Sequence, residues 1–148
     1  MRIAIASDHG GVELKEHIKR QLDELRVPYE DFGTHGPDPV DYPDYAEPVA
    51  RQVAAGVFDR GILVCGTGIG MSIAANKIPG IRAALVTDAV TARLSREHND
   101  ANIITMGGRT TPPDRARDIV RTFLTTAFEG GRHARRVQKL SSLDCKDS

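Results

Sequence analysis

Tryptophan is absent, cysteine occurs only twice in 148 residues, neither sign of charge predominates, and no apolar run exceeds four residues. Each shortage excludes something. Cys65 and Cys145 stand 80 positions apart with no CxxC pair, so neither a disulfide framework nor a thiolate zinc site is indicated. Lys plus Arg total 20 and Asp plus Glu total 20, and a chain with zero net charge has no generic attraction to nucleic acid or an anionic membrane. The apolar runs, such as Ile62 to Cys65, fall far short of the roughly 20 residues of a membrane span or the roughly 7–15 of a signal-peptide core. The expectation is a soluble, cytoplasmic protein without nucleic-acid or membrane partners. What is present is 40% apolar and 27% charged residues, an ordinary globular balance, at a length close to the ~150 residues of one domain. One domain over residues 1–143 and a polar tail over 144–148 are expected.

Strand-like and helix-like segments alternate. Arg2 to Ala6 is nearly continuous in apolar character, as a strand covered on both faces must be. After Gly10-Gly11, the residues Leu14, Ile18, Leu22 and Leu25 form one helical stripe that stops before Pro28. Tyr29 to Phe32 reads as a second strand, and the glycines and prolines of Gly33 to Asp41 as a loop. A helix over Asp44 to Ala55 precedes the clearest buried strand, Gly61 to Cys65, which enters the turn Gly66-Thr-Gly-Ile-Gly70 and a short helix, Met71 to Asn76. Ala83 to Val86 and Ile103 to Met106 read as strands, and Asp88 to Glu97 and Asp114 to Phe128 as helices. The last of these aligns Ile119, Val120, Phe123, Leu124 and Ala127. A basic helix near His133 to Leu140 closes the pattern. Such alternation predicts an α/β fold with a parallel sheet, right-handed crossovers and helices on both faces. Ligands then bind beyond the carboxyl ends of the strands, at Ser7 to Gly11, Gly66 to Gly70, Thr87-Asp88 and Gly107 to Thr110.

Several residues in or near those loops can carry chemistry. Gly66, Gly68 and Gly70 let backbone N–H groups curl toward an anion at a helix start. The turn lacks both the third glycine of a dinucleotide fingerprint, since position 71 is Met71, and the lysine of a P-loop. A tight packing turn is an equal reading. Cys65 is either a small core hydrophobe or, as a thiolate beside those N–H dipoles, a base or nucleophile. Asp8 either caps the next helix or, with His9, meets sugar hydroxyls or phosphate. His98, followed by Asn99, reads on its own as a solvent-exposed loop histidine. Arg132 and Arg136, spaced i, i+4, share a helix face that suits a phosphate dianion or simply solvent. Arg109 adds a weaker anion signal.

Taken together, Ser7-Asp-His-Gly-Gly11, Asp41-Tyr-Pro-Asp-Tyr45, the thirteen residues Cys65-Gly-Thr-Gly-Ile-Gly-Met-Ser-Ile-Ala-Ala-Asn-Lys77, His98-Asn99 and Gly107-Gly-Arg109 closely resemble type B ribose-5-phosphate isomerase. That family also holds allose-6-phosphate and galactose-6-phosphate isomerases, and the likeness runs to about Leu143. The resemblance implies a Rossmann-like three-layer sandwich with a five-stranded parallel sheet, a homodimer or dimer of dimers, a sugar-phosphate substrate, and no metal or organic cofactor. It implies that Cys65 moves a proton between C1 and C2, and that the Gly66, Thr67, Gly68, Ile69 and Gly70 backbone with the Thr67 side chain holds the enediolate oxygens. It further implies that His98, helped by Asp8, opens the furanose ring. His9, Arg132 and Arg136 would grip the phosphate, with Asn99 and Arg109 lining the pocket. One branch of the family uses a glutamate base within the following helix; Met71 to Ala75 holds no carboxylate, which leaves Cys65.

The resulting expectation is interconversion of ribose 5-phosphate and ribulose 5-phosphate. A six-carbon sugar phosphate is the near alternative and a noncatalytic phosphate- or nucleotide-sensing domain the distant one. Topology adds a condition. Cys65 ends a strand, whereas His98, Arg132 and Arg136 follow helices that have run back toward the other sheet edge, so active sites shared between two subunits are expected.

Overall fold

A computed structural model describes residues 1–144, so Cys145 and most of the expected tail lie outside the described residues. The chain runs β1 (Ile3–Ser7), a 3-10 turn (His9–Gly11), α1 (Val12–Glu24), β2 (Tyr29–Asp31), α2 (Pro43–Ala54), β3 (Arg60–Cys65), α3 (Ile69–Ala75), β4 (Ala83–Leu85), α4 (Ala89–Glu97), β5 (Ile103–Gly107), α5 (Pro113–Thr125) and α6 (Arg132–Ser141). The five strands lie in the order β2-β1-β3-β5-β4, every neighbouring pair parallel. The α/β three-layer sandwich is therefore present as the alternation predicted.

Strand alternation divides the core in two. Ile3, Ile5, Ile62 and Val64 face α1 and α5 through Leu14, Ile18, Ile119 and Phe123. Ala4, Ala6, Leu63 and Cys65 face α2 and α3 through Val49, Val53, Met71 and Ala75. Both faces are thus covered, which is why β1 and β3 are apolar without interruption. Chain order reverses between β1 and β3, and the loops that leave their carboxyl ends meet at that switch point, the place where open parallel sheets bind ligands.

Three element boundaries differ from expectation for identifiable reasons. Leu25 lies past the end of α1 and is 44% exposed; the chain turns at Arg26, which takes a positive φ of 56°, and Val27 packs on the core instead. Helix α5 ends at Thr125, short of Phe128, and leaves Ala127 outside it. Thr125 and Thr126 hydroxyls donate back to the Arg121 and Thr122 carbonyls, Thr126 turns extended, and its carbonyl accepts from Arg96 Nε. Helix α3 begins at Ile69 rather than Met71, which brings Ile69 and Gly70 into its first turn.

One charged pair braces the sheet edge. Lys15 in α1 is fully buried, and its Nζ donates to Asp31 Oδ1 at 2.8 Å and to the Thr34 carbonyl. Asp31 Oδ1 also accepts the Gly33 N–H at 2.8 Å. This ties α1 to the start of the loop that leads from β2 toward the switch point.

Candidate active site

Register places the ends of three strands level. Ser7 pairs with Val64, and Cys65 pairs with Gly107. Cys65 is 5% exposed, and its Sγ accepts the Gly68 N–H at 3.1 Å. Gly68 has a φ of 83°, and a Cβ there would stand 2.9 Å from Met106 backbone, so the turn that presents this N–H to sulfur requires glycine. Thr105 Oγ1 donates to the Gly68 carbonyl at 2.8 Å and locks the turn onto β5. The loop after β5 completes the clasp, with the Gly108 N–H on the Cys65 carbonyl at 2.7 Å and the Arg109 N–H on the Gly66 carbonyl at 2.9 Å.

The β1 loop closes the third side. Asp8 is buried and accepts the Gly10 N–H at 2.9 Å, so it caps the 3-10 turn while lying beside the β3 loop: its own N–H donates to the Val64 carbonyl. A Cβ on Gly10 would come within 3.3 Å of Gly66 Cα. His9 is half-buried, and its Nδ1 accepts the Val40 N–H at 3.2 Å, an arrangement that places the ring proton of the neutral form on Nε2. The guanidinium of Arg109 lies over Gly66, whose added Cβ would meet Nη1 at 3.1 Å. Asp8, His9, Cys65, the Gly66 to Gly70 turn and Arg109 thus share one edge of the sheet: a recessed thiol, exposed Thr67 and Arg109 side chains, and a helix start rich in backbone donors.

His98, Asn99, Arg132 and Arg136 occupy the opposite edge. His98 caps the carboxyl end of α4, and the Ala101 and Asn102 N–H groups donate to Ser95 and Arg82 just before β5 begins at Ile103. Ile103 pairs with Gly61, four residues before Cys65, which at about 3.3 Å per residue puts the two edges about 13 Å apart along the strands. The fold therefore gathers the predicted residues into two groups rather than one. A cavity of about 470 Å³ touches the second group through Asn99, bordered by Asn76, Arg82 and Leu140, and contains none of the first.

The second group holds two residues that the sequence reading passed over. The Glu129 N–H donates to the Glu97 carbonyl at 3.1 Å and joins the α5–α6 connection to the end of α4. His133, buried in the first turn of α6, lies ring to ring with His98, centroids 4.2 Å apart and planes 14° apart, and its Nε2 stands 3.6 Å from Glu129 Oε2. Burial, with His98, Arg132 and Arg136 nearby, holds His133 below the ordinary histidine range against the pull of Glu129. His98, Glu129 and His133 bring three possible ligand atoms within 4.8 Å of one another. Near-parallel rings, however, aim their in-plane lone pairs past a common point, which suits a stack better than a tetrahedral metal cage. No sequence spacing signalled this contact, because it depends on α4 and α6 meeting end to end.

The match to the ribose/galactose isomerase family model covers residues 3–140. The chain belongs to that family. It is 45% identical over 143 residues to ribose-5-phosphate isomerase B of Escherichia coli, covering 97% of this chain and 96% of that protein. Among solved structures, ribose-5-phosphate isomerase B of Clostridium thermocellum matches with a TM-score of 0.95 and 55% identity over 97% of each chain. The type B ribose 5-phosphate isomerase of Trypanosoma brucei matches with a TM-score of 0.92 and 51% identity, over 95% of this chain and 97% of that one. No helix among the described residues is long and apolar enough to cross a membrane.

Proposed function

We propose that the protein interconverts D-ribose 5-phosphate and D-ribulose 5-phosphate, with each active site built from two copies of the chain. The observation that carries the chemistry is Cys65 Sγ held by the Gly68 N–H within a glycine-rich turn at the switch point. A 1,2-isomerisation needs a base on one face of the substrate and donors aimed at the oxygen on which charge develops. Cys65 as thiolate removes the C2 proton of the open-chain aldose. The electron pair forms the C1–C2 double bond of an enediolate, whose oxygens meet the Gly66 to Gly70 amides and Thr67. The Cys65 thiol, whose hydrogen exchanges with solvent during the lifetime of the enediolate, delivers a proton to C1, and the O2 proton passes to O1, giving the ketose without net redox change.

Ring opening precedes this step for ribose 5-phosphate, and His98 of the second copy, with Asp8 of the first, moves the proton from O1 to the ring oxygen. His9, Arg132 and Arg136 hold the phosphate, Asn99 and Arg109 line the pocket, and no step calls for a metal or organic cofactor. Support for the shared site comes from an uncovered apolar surface around the Cys65 loop. Ile69 and Ile73 of α3 are 52% and 58% exposed, and Val90 at the start of α4 is 54% exposed. Tyr42 and Leu85, also exposed, border the same turn at Gly70 and Gly68. A second copy that covers this patch walls in the substrate beside the thiol and delivers the His98 group.

A kinetic comparison of ribose 5-phosphate with allose 6-phosphate and galactose 6-phosphate tests the substrate. A higher kcat/KM for ribose 5-phosphate is expected. Preference for either hexose phosphate would transfer the same mechanism to a six-carbon sugar, and binding without turnover of any of the three would replace the enzyme by a sensor.

A further inference from the structure

We infer that His133 is a positioning residue for ring opening, setting the orientation of His98 through the face-to-face contact of their rings. The inference rests on the assignment of His98 to ring opening. Among the described residues the His98 ring makes no hydrogen bond within the chain; what fixes it is the His133 ring, 4.2 Å away and tilted by 14°. A histidine at the end of a helix, ahead of a loop whose Asp100 adopts a positive φ of 49°, otherwise has several rotamers open to it.

His133 is itself held firmly. It is buried, its N–H donates to the Gly130 carbonyl at 3.0 Å, and Glu129, which contacts its ring, is tied by its own N–H to the last residue of α4. The platform is thus part of the joint between α4 and α6, so its position follows the backbone that carries His98. Its charge state suits the task as well. Faced by His98 from α4, by Glu129 from the connection, and by Arg132 and Arg136 from its own helix, His133 is biased toward the neutral form. A neutral ring offers its electron-rich face to His98 in either protonation state, whereas a charged one would repel His98 whenever His98 carried the proton. An acid–base group that must cycle between both states needs such a neighbour.

Ribulose 5-phosphate provides the discriminating measurement, because it has no ring: its O5 is esterified and its O4 is too close to C2. Deuterium exchange from solvent into C1 of ribulose 5-phosphate requires enediolate chemistry at Cys65 but no ring opening or closure. In the intact oligomer, His133→Ala is expected to lower conversion of ribose 5-phosphate by about ten- to a hundredfold, the scale of a misaligned reacting group, while C1 exchange stays within a few-fold. His133→Phe, which keeps a flat ring in place, is expected to recover most of the conversion. Unchanged conversion in His133→Ala would overturn the inference, as would parallel loss of conversion and exchange, which marks a general structural defect. A folded His133→Phe as impaired as His133→Ala would overturn it too, by removing stacking as the cause. C1 exchange that persists unchanged in Cys65→Ala would instead sink the enediolate reading at Cys65, independently of His133.

Discussion

Cys65 accepts a hydrogen bond from Gly68, three residues on, and that N–H···S contact of 3.1 Å converts a core cysteine into an aimed one. The side chain is small, sits on the face covered by α2 and α3, and is held at a strand end beside donors. Cys65→Ala is therefore expected to fold normally and lose isomerisation almost entirely. Cys65→Ser should also be severely impaired, since a serine hydroxyl at neutral pH is a far weaker base than a thiolate. Steady-state rates alongside thermal melts check both; near-wild-type turnover by a folded Cys65→Ala chain would remove Cys65 as the base.

The buried Lys15–Asp31 pair yields a stability prediction. Burial would raise the Asp31 pKa, but hydrogen bonds from Lys15, the Gly33 N–H and Lys19 overcome it and hold the carboxyl below its ordinary value of 3.8. The group thus binds its proton less readily folded than unfolded, so its contribution is complete well above pH 3.8 and is lost as pH falls through the lower, folded value. Asp31→Asn would remove this acid-sensitive component and leave the fully buried Lys15 ammonium without its carboxylate, at a cost of about 3–5 kcal/mol. Urea unfolding at fixed protein concentration measures it. A loss below about 1 kcal/mol would show that the Thr34 carbonyl alone satisfies Lys15, the usual scale of an exposed pair.

Much of this is legible in the sequence, and the residues that are not share a cause. Strands β1, β3 and β5 announce themselves because both faces are covered, so their neighbours in sequence are mostly apolar. Cys65, Asp8, His9 and Arg109 could be grouped because parallel topology sends strand ends to one edge, and Arg132 and Arg136 because helical spacing does the rest. Lys15 was unreadable: a lysine flanking an apolar stripe belongs on the surface unless a partner waits for it, and Asp31 lies on another element. His133 was hidden by a helix otherwise exposed and basic, since its partner His98 lies 35 positions earlier and is reached only through tertiary packing. Leu25 misled because a periodic stripe carries no notice of the left-handed turn at Arg26.

Arg132 and Arg136 stand exposed one turn apart at the start of α6, and in the proposed site they hold the phosphate. A grip on phosphate acts alike on ground and transition states, so Arg132→Ala and Arg136→Ala should each raise KM for ribose 5-phosphate with a smaller effect on kcat. A charge-assisted contact of this kind contributes about 1.5–3 kcal/mol, which corresponds to about ten- to more than a hundredfold in KM. Initial-rate kinetics with ribose 5-phosphate decide it, and an unchanged KM in both variants would move the phosphate elsewhere.

Cys65 lies at the carboxyl edge of the sheet and His98 beside the amino edge, with the ladder from Gly61 to Cys65 between them, so no side-chain motion within one chain joins them. Cys65→Ala and His98→Asn should each be inactive alone. Refolded together in equal amounts, about half of the dimers are mixed under random pairing, and one of the two sites in each mixed dimer draws an intact Cys65 from one chain and an intact His98 from the other, giving about a quarter of wild-type activity. Such recovery cannot arise when both groups come from one chain, because every site would then carry a defect. Size-exclusion of differently tagged chains verifies that mixed dimers form, and efficient pairing without recovered activity would place both groups in a single chain and overturn the shared site.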